Sequence, residues 1–139
     1  KTRRSITGLL GFIGCTPIMA RSKRQTSVES STYGAEFSAA RTAVEYIIGM
    51  RLLLRSLGIP VDGPTVLLGD NRGVVLSSTQ FTSVLTKKHH AISYHKVREC
   101  IAAGIVDFRW INGINNLADL MTKPVTKATQ ATLLKRFMH

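Results

Sequence analysis

The sequence predicts an α/β domain in which a mixed sheet is flanked by helices. Three observations predict it: a strand-like opening, one long helical period, and then an alternation of short apolar runs with helical segments. At 139 residues the chain reads as a single domain, residues 1–139, able to bury roughly two thirds of its surface around one core.

Ser5 to Ile13 is rich in Ile, Leu, Phe and Thr, and Gly14-Cys-Thr-Pro17 breaks it before a second short run at Ile18 to Ser22, the pattern of a hairpin. From Thr32 to Leu57 the apolar positions Phe37, Ala40, Val44, Ile47, Ile48 and Leu54 recur at helical spacing; Gly58 supplies the stop and Pro60 prevents continuation. Thr65 to Gly69 suits a buried strand, and Asn71 caps a brief helix through about Ser77. A polar loop, Ser77 to Ser83, precedes a helix from Lys88 to Ala103, with Ile92, Val97 and Ile101 as apolar contacts and Gly104 at its end.

Val106, Phe108 and Trp110 alternate with Asp107 and Arg109 as a half-buried strand should, which assigns Trp110 to the core in preference to base stacking. Asn112-Gly113 makes a turn. A last helical region begins near Leu117, is interrupted around Pro124, and resumes from Thr126 to Met138.

Charge and composition narrow the function. Nineteen Lys and Arg against eight Asp and Glu give a formal charge of +11, a balance that favours polyanionic partners, nucleic acid first among them. The excess gathers at the two ends: Lys1, Arg3, Arg4, Arg21, Lys23 and Arg24 precede the first acidic residue, Glu29, and Lys123, Lys127, Lys135 and Arg136 crowd the other end. Cys15 and Cys100 have no metal-ligand spacing, so an intracellular, reducing compartment is expected. No apolar run reaches the ~20 residues that span a bilayer, so membrane insertion is not expected. The opening Lys-Thr-Arg-Arg is unlike a secretory signal, and the lack of an initiator Met suggests a processed or truncated product.

Three carboxylates stand where a two-metal phosphodiesterase needs them. Glu36 lies near the start of the long helix, Asp70 ends the strand Thr65-Val-Leu-Leu-Gly69, and Asp119 lies in Asn115-Asn-Leu-Ala-Asp-Leu-Met-Thr-Lys123. Mg²⁺ takes hard oxygen ligands, and two such ions about 4 Å apart position a water and stabilise the leaving oxygen of an in-line displacement. Each acid also has an ordinary reading: Asp70 as a strand terminator, Glu36 as a first-turn glutamate favoured by the helix dipole, Asp119 as a helix-start residue.

The succession Ser22-Lys-Arg-Gln25, Ser31-Thr-Tyr-Gly-Ala-Glu-Phe37, Leu52-Leu-Leu-Arg-Ser-Leu-Gly-Ile-Pro60, Leu68-Gly-Asp-Asn71, Lys87-Lys-His-His-Ala-Ile-Ser-Tyr-His-Lys-Val-Arg-Glu99 and Ala118-Asp-Leu-Met-Thr-Lys123 resembles the ribonuclease H domain of copia-type retrotransposon polyproteins. The resemblance covers nearly the whole chain. It implies a ribonuclease H-like mixed sheet and Mg²⁺- or Mn²⁺-dependent cleavage of the RNA strand in RNA:DNA hybrids, with Glu36, Asp70 and Asp119 matching three of four acidic metal ligands. The fourth, an Asp on the first and central strand, normally precedes Thr2-Arg-Arg-Ser-Ile-Thr-Gly8 and has no counterpart in this chain. An upstream segment, another protein chain or a rearranged local strand is therefore expected to complete the sheet. Met19-Ala20-Arg21 departs from the family, which usually carries an aromatic residue before Ser-Lys.

Arg72, Lys87, Lys88 and Lys123 are the expected phosphate contacts, since base-independent recognition of a hybrid rests on charge and shape. No Cys or carboxylate spacing beside His89, His90 and His95 supports a zinc site, and His95 with Arg98 reads as a surface or structural hydrogen-bonding face. Two functions follow. One is a metal-dependent nuclease completed by an outside Asp. The other is a domesticated, inactive domain that serves as a structural or RNA- or protein-binding component of a larger assembly such as a ribonucleoprotein.

Overall fold

The computed structural model describes residues 4–26, 28, 31–80, 82 and 91–135. It is a mixed α/β structure made of two compact units, Lys1–Glu29 with Asn112–His139, and Ser30–Ile111.

The first unit is built on a hairpin. Strand β1, Ile6–Ile13, pairs antiparallel with β2, Thr16–Arg24. The two-residue link between them places Gly14 at φ +59, a conformation that glycine adopts without Cβ strain. Thr16 and Pro17, expected in the turn, instead belong to β2. The register jumps there, Gly11 facing Met19 and Phe12 facing Pro17, so Ile18 is the extra residue of a bulge. Proline lacks an N–H for the ladder, which explains an irregularity beside it.

The open end of the hairpin is tied by Gln25, whose N–H donates to Ser5 O at 2.8 Å and whose Nε2 donates to Thr7 Oγ1 at 3.0 Å. The chain returns to this unit through two 3₁₀ turns, Gly113–Asn115 and Leu117–Met121. Each is started by an asparagine side chain: Asn112 Oδ1 accepts from Ile114 N, and Asn116 Oδ1 accepts from Ala118 N. The second 3₁₀ helix lies directly on the β1 backbone at Gly8, and Ser22 Oγ donates to Met121 O at 2.6 Å. A terminal helix, Lys127–Lys135, buries Leu133.

The second unit carries the larger core. Helix α1, Thr32–Ser56, starts at Ser31, whose Oγ accepts from Gly34 N, and ends at Leu57, followed by Gly58 at φ +75. The expected span and stop signal are both observed. Strand β3, Thr65–Gly69, leads into α2, Arg72–Thr79, with Asn71 as its N-cap; α3, Ala91–Ala102, and β4, Val106–Trp110, complete the unit. Strands β3 and β4 are parallel, with α2 and α3 in the crossover between them. Phe37, Ala40 and Val44 of α1 meet Val74 and Val75 of α2, Tyr94, Val97 and Cys100 of α3, and Val106 and Phe108 of β4.

Three burial expectations are corrected. Strand β3 is covered on one face only: Leu67 packs on the core, while Val66 and Leu68 are 50% and 51% exposed. Trp110 is also 50% exposed, because β4 ends there and the core stops at Phe108. Ile92 points outward, with Tyr94 and Val97 forming the buried stripe of α3 instead. In the β3–β4 ladder Thr65 N donates to Ile105 O and Ile111 N donates to Gly69 O. That phase turns the peptide groups of Val66 and Leu68 away from β4.

Candidate metal and nucleic-acid site

Asp70 sits at the carboxyl end of β3, where parallel strands commonly present ligand-binding groups. Its surroundings are built with care on both sides. Gly69, just before it, faces Trp110 across the ladder and leaves room for the buried ring of Phe108; a Cβ there would lie 2.9 Å from Phe108 Cε2. Trp110 Nε1 donates to the backbone oxygen of Asp70 at 3.0 Å, so the indole pins the strand end. On the other side Asn71 Oδ1 accepts from Val74 N at 3.2 Å and fixes the start of α2, with Arg72 exposed in its first turn.

Glu36 belongs to the same unit. It is half-buried between Ala35 and Phe37, past the first turn of α1, which departs from an exposed first-turn glutamate. The start of α1 meets the start of α2: the ring of Tyr33, one turn before Phe37 and stacked edge-on against it, lies within van der Waals reach of the Gly73 position. The fold thus brings the stretch carrying Glu36 to the stretch that begins at Asp70.

Asp119 belongs to the hairpin unit, in the 3₁₀ helix Leu117–Met121. Its carboxylate already holds a cation, Lys123 Nζ at 2.7 Å, so the expected phosphate contact Lys123 is engaged with an expected metal ligand. The four-residue spacing between them is the mark in the sequence that could have found this pair. Among the described residues no group of three or more His, Cys, Asp or Glu is gathered to hold a metal ion. Lys87, Lys88, His89 and His90 lie outside the described residues.

One contribution was not legible in the motifs. Trp110 acts on Asp70 through a backbone carbonyl, which no motif records. Arg98 Nη1 donates to Ser77 O at 2.9 Å, Gln80 O at 2.7 Å and Tyr94 Oη at 2.9 Å, with its guanidinium 5.1 Å from the centre of the Tyr94 ring. It is the structural hydrogen-bonding residue expected on α3, and it closes the carbonyl end of α2. His95 is exposed, its ring edge-on to Tyr94. Cys15 is an exposed free thiol; Cys100 is a buried one, and burial pushes its pKa up, with Glu99 reinforcing and Lys96 opposing the shift. No helix among the described residues is long and apolar enough to cross a membrane.

Comparison with known proteins gives a consistent group of relatives. The chain is 28% identical over 123 residues to the retrovirus-related Pol polyprotein from transposon RE2 of Arabidopsis thaliana, and 29% identical over 123 residues to that from transposon RE1 of the same plant. It is 30% identical over 125 residues to the retrovirus-related Pol polyprotein from transposon TNT 1-94 of Nicotiana tabacum. These matches cover 88%, 88% and 90% of this chain but only 8%, 8% and 9% of the relatives. No family model and no solved structure matches the chain. Its homologues are therefore retrovirus-related Pol polyproteins of transposons, and it corresponds over most of its length to a short segment of each.

Proposed function

We propose that the chain is a retroelement-derived ribonuclease H-like domain that hydrolyses the RNA strand of RNA:DNA hybrids. The observation that carries this reading is Asp70, held at the carboxyl end of a parallel strand by Trp110 and followed at once by a capped helix. The Pol polyprotein relatives support it. Glu36, Asp70 and Asp119 are the proposed metal ligands, with a further Asp from outside these residues. Their carboxylate oxygens suit Mg²⁺ or Mn²⁺. When bound, the metal pair would supply an activated water and charge stabilisation for the leaving oxygen. The protein's share is to hold the carboxylates: Trp110 and Asn71 fix the backbone on either side of Asp70, and the core residue Phe37 anchors the turn bearing Glu36.

Arg72, Lys87, Lys88 and Lys123 are the proposed phosphate contacts. An added strand, from an upstream segment or another chain, would pair with the outward peptide groups of Val66 and Leu68. The test is cleavage of a labelled RNA:DNA hybrid by the chain supplied with that segment. Asp70→Asn should lose at least about a hundredfold in Mg²⁺-dependent rate, as expected when a metal ligand is removed. Unchanged cleavage would remove the site.

A second reading is a domesticated domain that binds RNA or a protein within a larger assembly such as a ribonucleoprotein. The specific observation favouring it is the ion pair of Lys123 with Asp119, which satisfies that carboxylate with a cation of the chain itself. It predicts salt-sensitive binding with no metal-dependent cleavage.

A further inference from the structure

The two basic stretches of sequence, at opposite ends of the chain, belong to one compact unit. Residues 1–29 and 112–139 contain ten Lys and Arg against two Asp and Glu, a formal +8, whereas residues 30–111 contain nine against six, a formal +3. The smaller unit therefore carries most of the charge.

Its hairpin arranges these cations regularly. Arg21 and Lys23, opposite the buried Leu9 and Thr7, share one face of β2, where Arg21 is half-buried and Lys23 exposed. Arg24, opposite Ile6, and Arg4, just before β1, stand at the open end of the hairpin. Arg4, Lys23 and Arg24 are exposed. The sole carboxylate among the described residues of the unit, Asp119, is taken by Lys123 at 2.7 Å. Like charges held on a rigid ladder repel one another, and a polyanion laid across them removes that repulsion. Arginine also suits phosphate, because its planar fork donates to two phosphate oxygens at once.

We infer that the hairpin unit is a docking surface for the phosphate backbone of nucleic acid. Arg4, Lys23 and Arg24 supply the contacts, and Lys127 and Lys135 add to the field. None of these is among the proposed metal ligands, so docking needs no metal. The inference deepens the nucleic-acid reading above and rests on it for the class of ligand.

The experiment is fluorescence anisotropy of a short labelled RNA:DNA hybrid with the full chain in EDTA, over a salt series. Three exposed residues are neutralised together in R4Q/K23Q/R24Q, which disturbs no buried group. The control, R41Q/R55Q/K96Q, removes equal charge from the other unit; thermal melts confirm folding of both. The hairpin variant should bind about tenfold or more weakly, with the slope of log affinity against log salt lower by about 2 to 3. The control should change affinity less than about threefold, on the reasoning that charges away from the contact are screened.

Equal losses in the two variants overturn the inference, as does an unchanged hairpin variant. Competition by polyglutamate as strong as by unlabelled hybrid also overturns it, in favour of an acidic protein partner. A chain that binds with this dependence in EDTA but never cleaves when supplied with the completing segment and Mg²⁺ refutes the nuclease reading and leaves the docking surface standing. A chain that cleaves yet keeps full affinity in R4Q/K23Q/R24Q does the reverse.

Discussion

Adding one methyl at Gly8 tests how the hairpin unit holds the segment that carries Asp119. A Cβ at position 8 would lie 2.6 Å from Ala118 O, 2.6 Å from Thr122 Cγ2 and 2.9 Å from Met121 Cβ. Two of these are a backbone carbonyl and a Cβ, which cannot swing aside as the end of a long side chain can. The 3₁₀ helix must back off by roughly 1 Å, and overpacking of that kind costs about 1 to 3 kcal/mol. At roughly 3 °C per kcal/mol for a protein of this size, Gly8→Ala should melt about 3 to 9 °C below the wild type.

Gly11→Ala is the matched control on the same strand. Its Cβ would meet Met19 Cε at 3.3 Å and Met19 Cβ at 3.4 Å, and the flexible thioether can turn away. It should cost less than about 1 kcal/mol. The assay is a paired thermal melt followed by hybrid cleavage. A displacement of Asp119 by roughly 1 Å is worth up to about a hundredfold in rate where geometry limits catalysis. Equal melting of Gly8→Ala and Gly11→Ala would refute the close packing of the 3₁₀ helix on β1.

Three further outcomes are expected. Arg98→Ala removes three hydrogen bonds from one guanidinium nitrogen to two carbonyls near the end of α2 and to Tyr94; part of the group is in water, so the cost should be about 1 to 2 kcal/mol, and a denaturant midpoint equal to wild type would count against it. Trp110→Phe keeps a ring but loses the N–H to Asp70 O; stability should fall by about 1 kcal/mol, while Mg²⁺-dependent kcat falls with little change in KM, and an unaltered kcat would mean the indole does not position Asp70. At mildly alkaline pH a thiol reagent should label exposed Cys15 at once and Cys100 only on unfolding, since burial and a raised pKa both leave little thiolate; simultaneous labelling in the native protein would contradict the core placement of Cys100.

Local chemistry made some of this structure legible in the sequence. Helix α1 declared its span because an apolar stripe at 3.6-residue spacing ends at a glycine and a proline, and the Asn71 cap of α2 follows from the short polar side chain after a strand. The length of β3 was equally plain, but its exposure was not: a five-residue apolar run looks the same whether one face or both are covered, and Val66 and Leu68 prove half-exposed.

Alternation assigned Trp110 to the face of Phe108 but could not tell that the core ends one pair short of it. What the indole does instead depends on a carbonyl 40 residues away. Glu36 and Asp70 could be placed on their elements, whereas the grouping of residues 1–29 with 112–139 rests on contacts such as Ser22 to Met121, which no local pattern encodes.

The order in which these parts leave the ribosome is set by that grouping. The hairpin of β1 and β2 emerges first, yet the 3₁₀ helix that seats on Gly8 comes from near the other end, 99 residues beyond Ser22 in the bond to Met121. The α1–β4 unit, by contrast, is one uninterrupted stretch and can assemble as soon as it is made. A nascent hairpin must therefore wait, its Gly8 face bare, until residues 117–122 have been made, and closing so long a loop is expected to be the slow step of folding. In pulse-labelled hydrogen exchange during refolding, the amides of α1 and α3 should gain protection before those of residues 117–121.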